Sequence, residues 1–225
     1  MAEFAVVEKQ GLKMIKATLD KETIQAEAGA LHYMQGAIEL DVKLPSAKGF
    51  LKSMVTKESV IKPKYTGTGT VFFGPPIFGE YCMLDLDSEA WVLDKGAYVC
   101  SDSGVEVGAY VNKAVAGLLG GEGFFQVKVE GTGKLVLQAP GPVEAIDLKD
   151  DRLTVDGSFA VARQAHLDFT VKKAAKGLLS SAASGEGLVN VIQGTGRVLI
   201  APVPNLYQNL VTTIMGPFAS MQSQK

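Results

Sequence analysis

The sequence predicts an all-β fold of three internally repeated antiparallel β units, of the β-sandwich or double-stranded β-helix type with pseudo-threefold order. Short helical inserts and a C-terminal helix complete the expected architecture. Three observations lead there. A Gly-Thr-Gly triplet occurs at Gly67–Gly69, Gly131–Gly133 and Gly194–Gly196, at spacings of 64 and 63 residues. Upstream of the triplets stand Glu58, Glu122 and Glu186, spaced 64 and 64. Several segments alternate apolar and polar residues with period two, the mark of half-buried antiparallel strands. Self-similarity at a fixed period is the signature of a repeat architecture.

In chain order, repeat one is expected over 4–87, repeat two over 88–150 and repeat three over 151–204, in one compact domain. Glu27–Ala30, Asp94–Ala97 and, more loosely, Val155–Ser158 open the units. Each opening leads to an alternating segment: Ile38, Leu40, Val42; then Val105, Val107; then Leu167, Phe169, Val171. Phe125, Val127 and Val129 repeat the pattern ahead of the second triplet. Glycine in each triplet supplies the positive φ of a tight hairpin turn, so hairpins are predicted there. Pro63 falls in the Val60–Tyr65 run and predicts an edge or bulged strand. Closure of the sheet is favoured over a linear array because it removes exposed edges.

The Ala/Gly/Leu/Lys stretches at Lys113–Leu119 and Lys172–Leu179 are expected to form one or two helical turns. Beyond Pro204, the spacing of Tyr207, Leu210, Val211, Ile214 and Met215 predicts an amphipathic helix over 205–216, stopped by Gly216-Pro217. A tail, 217–225, follows. The stripe is a candidate partner-facing surface. Its polar side lacks Lys and Arg, which disfavours a membrane-surface helix.

Composition narrows the function. The 225 residues are 47% hydrophobic and 20% charged, which excludes intrinsic disorder. With 22 Lys+Arg against 24 Asp+Glu there is no clustered basic surface for phosphates, so no nucleic-acid partner is expected. Lys172, Lys173 and Lys176 read as a solvated face. No apolar run approaches the ~20 residues of a transmembrane helix. The N-terminus carries no secretory signal, and two cysteines without a C-x-x-C pattern fit a reducing compartment, so a cytoplasmic location is expected.

The triplets match neither G-x-G-x-x-G nor a P-loop, and strands rather than helices follow them, so turn glycines are favoured over phosphate binding. His32 and His166 are the only histidines; Asp168 shares a face with His166, but the other units repeat no such pair. No metal site, cofactor or nucleophile elbow is expected, and the chain is not expected to be an enzyme. Glu58, Glu122 and Glu186 are candidate ligand-binding residues around a pseudo-axis, with capping of a helix or hairpin as the alternative.

Glu27–Met34, Leu118–Phe125 with its Gly-Gly-Glu-Gly-aromatic motif, Gly131–Gly133 and Pro140–Pro142 resemble the family named for mitochondrial altered-inheritance protein 24. The resemblance spans about Phe4 to Phe218; the third unit, Ser184–Leu188, keeps part of the motif and the first, Lys57–Ser59, keeps less. It implies a fold like the tryptophan RNA-binding attenuator protein, repeated within the chain, and supplies no catalytic residues. The reading is therefore a non-catalytic scaffold or binding module, acting as a homo-oligomer or on a protein partner. The alternatives are a small-ligand or cation binder at the pseudo-threefold axis and nucleic-acid binding by fold analogy alone.

Overall fold

A computed structural model of the chain describes residues 1–42, 62–74, 79–112, 124–156, 159–174 and 188–203. The predicted helical insert at 113–119, most of the second insert, and the C-terminal helix lie outside these residues. Lys172 and Lys173, expected to begin that second insert, instead end a strand. Among the described residues no helix is long and apolar enough to cross a membrane.

The described chain is all-β, with twelve strands: β1 (Glu3–Lys9), β2 (Leu12–Ala26), β3 (Leu31–Asp41), β4 (Lys64–Phe73), β5 (Glu80–Leu93), β6 (Tyr98–Asp102), β7 (Val105–Asn112), β8 (Phe124–Ala139), β9 (Glu144–Asp156), β10 (Ala160–Gln164), β11 (Asp168–Lys173) and β12 (Leu188–Ile200). Their pairings are all antiparallel and join them into one sheet, along the path β11-β12-β10-β5-β8-β6-β2-β4-β3. Strands β1, β7 and β9 attach to β2, β8 and β12 off this path. Hydrogen bonding leaves the path open among the described strands, so the edge removal that closure would give is not supplied by strand pairing.

The three triplets sit on β4, β8 and β12, in mid-strand and not at hairpin turns. Each of these strands is flanked by two others from its own stretch of chain: β2 and β3, β5 and β7, β9 and β11. The glycines occupy inward positions of the alternation, between Tyr65 and Val71, Val129 and Leu135, Ile192 and Val198, all six of them buried. They are required by close approach. A Cβ on Gly69 would overlap the Gln35 carbonyl oxygen and come within 3.0 Å of the Gly36 Cα, at a φ of 149°. Tight turns fall instead at Glu27–Ala30 and Asp94–Ala97, closed by 3.1 Å bonds from the Ala30 and Ala97 amides to the Glu27 and Asp94 carbonyls.

Opposite each triplet the neighbouring long strand carries one extra residue, in a left-handed conformation: Lys21 (φ 59°), Ser88 (φ 58°) and Asp150 (φ 52°). The bulge reverses which parity faces inward. In β2 the buried apolar positions are Ile15, Ala17 and Leu19 before Lys21, then Ile24 and Ala26 after it. In β5, Leu86 gives way to Trp91 and Leu93; in β9, Leu148 gives way to Val155. Without the slip, half of each strand would turn its apolar set to solvent. The triplet threonine stabilises the bulge: Thr68, Thr132 and Thr195 Oγ1 accept the amides of Lys21, Ser88 and Asp150 at 3.1, 3.2 and 2.9 Å.

Pro63 precedes β4 and does not lie within it; its carbonyl accepts the Ala26 amide at 3.1 Å, and β4 is an interior strand and not an edge. Three apolar clusters form. The first packs β2 and β4 with Val99, Cys100 and Val136 from later strands. The second packs β5 and β8 with Val161, Ala162, Leu199 and Ala201. The third, around Leu148, Phe169, Ile192 and Val198, is built from β9 onward alone.

Candidate functional site

Two joints tie successive parts of the sheet together, and both use one register. At the first, the end of β2 pairs with β6: Ile24↔Asp102, Gln25↔Ser101, Ala26↔Cys100. The next amide, Glu27, donates to the Val99 carbonyl at 2.8 Å. At the second, the end of β5 pairs with β10: Trp91↔Gln164, Val92↔Arg163, Leu93↔Ala162. There the Asp94 amide donates to the Val161 carbonyl, again at 2.8 Å. Each joint buries its short strand between two long ones; every residue of β6 is buried, as are Val161, Ala162 and Arg163 of β10.

The first joint is polar and satisfied. The Tyr98 hydroxyl donates to the Gln25 carbonyl at 3.3 Å and lies 3.0 Å from Ser101 Oγ, which also accepts from Gln25 Nε2 at 3.2 Å. Gln25 Nε2 donates to the Val105 carbonyl as well. Burial drives the Tyr98 phenol well above its ordinary range. Beside it Lys62 pairs with Glu27, its ammonium 4.8 Å from the Tyr98 ring centre.

The second joint replaces Ser101 by Arg163, 3% exposed. Its guanidinium lies 4.3 Å from the Phe169 ring centre and 5.8 Å from that of Tyr110. One nitrogen reaches Gln126 Oε1 at 3.5 Å, while Nε and Nη1 have no hydrogen-bond partner among the described residues. Desolvation lowers the guanidinium from its ordinary range to about 10. A small, shallow cleft lies beside it, lined by Val92, Gln126, Ala162, Phe169 and Ile192 among others. This arrangement offers unused donors in a dry setting.

Each end of the described sheet path lacks such a joint. The end of β9 pairs with β12 through Leu153↔Ile192, Thr154↔Val191 and Val155↔Asn190, and with no other described strand. Thr154 is exposed, where Gln25 and Val92 at the matching places of β2 and β5 are buried. Among the described strands the start of β3 pairs only with β4. His32, Tyr33 and Met34 are exposed, whereas Val99, Cys100, Ser101 and Val161, Ala162, Arg163 are buried at the matching places. Tyr33 stacks on Phe72 at 4.2 Å yet stays 47% exposed, and Met34, Leu40 and Val42 are 40%, 46% and 42% exposed. The predicted half-burial of Ile38, Leu40 and Val42 therefore holds only for Ile38. Strand β3 contains neither Lys nor Pro, the residues that ordinarily guard a free edge.

The candidate residues from the sequence, Glu58, Glu122, Glu186, Tyr207, Leu210, Val211, Ile214 and Met215, all lie outside the described residues. His166 is held structurally, Nε2 lying 2.9 Å from the Thr195 carbonyl, and the His32 ring packs against Gly74. Cys82 and Cys100 are free thiols, and burial raises both, Cys100 far more. Among the described residues no three His, Cys, Asp or Glu side chains come together as a metal site. Sequence reasoning missed the β3 edge. The available signal was the exposed-type run His32-Tyr33-Met34, where the matching runs Val99-Cys100-Ser101 and Val161-Ala162-Arg163 begin with a small apolar pair.

Comparison with known proteins gives a consistent relationship. A family profile described as "Mitochondrial biogenesis AIM24" matches residues 4–203. An uncharacterised protein of Streptococcus pyogenes serotype M6 is 26% identical, over 79% of this chain and 76% of its own. The crystal structure of another Streptococcus pyogenes protein superposes with a TM-score of 0.76 at 23% identity, covering 97% of this chain and 100% of that one. That structural likeness establishes the fold.

Proposed function

The chain belongs to the AIM24 family, and from that premise we propose that it is a non-catalytic scaffold whose contacts are made at the open edge of its sheet. One observation carries the reading. The start of β3 presents Tyr33 and Met34 to solvent and has a strand partner on one side only among the described residues, at a place where the two matching strands are buried between neighbours. An unguarded strand edge is a template for β-augmentation, in which main-chain bonds give affinity and alternate side chains give specificity. The recurring bulge-and-triplet unit supports reading the chain as three copies of one module, and a module of this kind serves assembly.

The test is native mass spectrometry of gently purified protein, wild type against Met34→Lys/Leu40→Lys. Both side chains face solvent, so circular dichroism and Tm should stay close to wild type. The wild type is expected as a multimer or with a bound protein mass, and the variant as a bare monomer. A bare wild-type monomer at all concentrations, or a variant that associates like the wild type, overturns the scaffold reading.

A further inference from the structure

We infer that the free start of β3 receives the end of β9 from a second copy of this chain, head to tail, in the register Leu153↔Gln35, Thr154↔Met34 and Val155↔Tyr33. The inference rests on the reading of this edge as a contact surface and names its occupant.

The register follows from the two joints already made. In each, the last three residues of a long strand pair with a short strand that starts just after the next turn. The long strands end immediately before Glu27 and Asp94, residues that head turns closed by the Ala30 and Ala97 amides. Asp156 heads a third such turn, closed by the Phe159 amide at 3.0 Å. Counting back from Asp156 places Leu153, Thr154 and Val155 where Ile24, Gln25, Ala26 and Trp91, Val92, Leu93 stand. Counting forward from Ala30 places Tyr33, Met34 and Gln35 where Cys100, Ser101, Asp102 and Ala162, Arg163, Gln164 stand. The chain thus carries both halves of a third joint. Within one molecule the two halves are not paired with each other among the described strands: β3 ends the sheet path, and β9 is bonded to β12 next to its other end.

Burial is complementary on the two sides. The first two apolar clusters are each completed by side chains from the following short strand, Val99 and Cys100 or Val161 and Ala162. The third cluster receives none among the described residues and leaves Leu153 half-buried. Tyr33, at the matching place to Cys100 and Ala162, would cover it. An aromatic residue opposite β-branched Val155 and a thioether opposite Thr154 are favourable cross-strand pairs, and the three pairs oppose no like charges. Because the two surfaces differ, the contact is heterologous, and repeated use gives a ring or an open filament.

Heterology provides a decisive mixing test. Met34→Lys blocks the β3 side and Thr154→Lys the β9 side, both at exposed positions. Each variant alone should be monomeric by size-exclusion chromatography with light scattering. An equimolar mixture should form a dimer and stop there, since one intact β3 edge meets one intact β9 edge. In a Cys82→Ser background, Met34→Cys/Thr154→Cys should cross-link between chains on mild oxidation, giving a ladder or a closed ring on a non-reducing gel. Association that Met34→Lys abolishes and Thr154→Lys leaves intact overturns the inference while keeping β3 as a site for another protein. A cross-link confined to one chain also overturns it, by showing that the third joint closes within the molecule.

Discussion

Arg163 and the triplet threonines are legible only at the scale of single atoms. Arg163 holds a buried cation with two nitrogens unbonded among the described residues, so its charge opposes folding. Replacing a poorly paired buried charge by an apolar residue of similar volume is often neutral or stabilising by about 1–4 kcal/mol. Arg163→Met is therefore expected to match or exceed wild type in urea unfolding at pH 7. A loss above about 2 kcal/mol would show that the guanidinium has a partner. The pH dependence has a definite sign: the folded-state value near 10 lies below that of an ordinary guanidinium, so the penalty is complete below pH 10. It fades as pH rises through that window, and the advantage of Arg163→Met should narrow there. Thr132 makes the opposite case. Its Oγ1 accepts the Ser88 amide across the bulge at 3.2 Å, an exposed bond worth about 1 kcal/mol or less. Thr132→Val should lower stability by that amount and Thr132→Ser should restore it; equal losses in both variants would assign the effect to packing instead.

At the scale of elements, the long strands are single strands that change faces. One inserted residue in β2, β5 and β9 lets both halves of each strand bury their apolar side chains. The glycines opposite make room for the β3 backbone at Gly67 and Gly69, for the Gly104 carbonyl at Gly131, and for side chains such as Asp102 and Leu167 at the others. Both features were written in the sequence. The parity slip from Leu84 and Leu86 to Trp91 and Leu93 can be read by eye, and so can the replacement of two inward apolar positions by glycine. The hairpin prediction failed because a positive-φ glycine serves a turn and a crowded strand centre equally well, and the local sequence does not say which. Gly69→Ala separates the two roles. In a turn it would cost about 1 kcal/mol, whereas here the new Cβ meets the Gln35 backbone, and a loss of more than about 3 kcal/mol is expected from thermal or urea unfolding. A loss below about 1 kcal/mol would mean that β3 and β4 separate easily at this point.

For the molecule as a whole, which strands lie side by side decides what is exposed. The end of β2 covers β6 and the end of β5 covers β10, while the start of β3 has no such cover among the described strands. The end of β9 likewise has no second strand beside it among the described residues. These open edges come from strand adjacency and not from a local motif, which is why motif spacing pointed to other residues.

The all-β class, the alternating segments of β3, β7, β8 and β11 and the recurrence of the Gly-Thr-Gly triplet were legible in the chain itself, because alternation is a local consequence of which face must be buried. Packing alone decided that the triplets lie in mid-strand, that Arg163 is buried beside Phe169, and that β3 is left open among the described strands. Those outcomes depend on which distant strand lies alongside, and burial is set by neighbours more than sixty residues away in the chain, as Val92 is from Arg163.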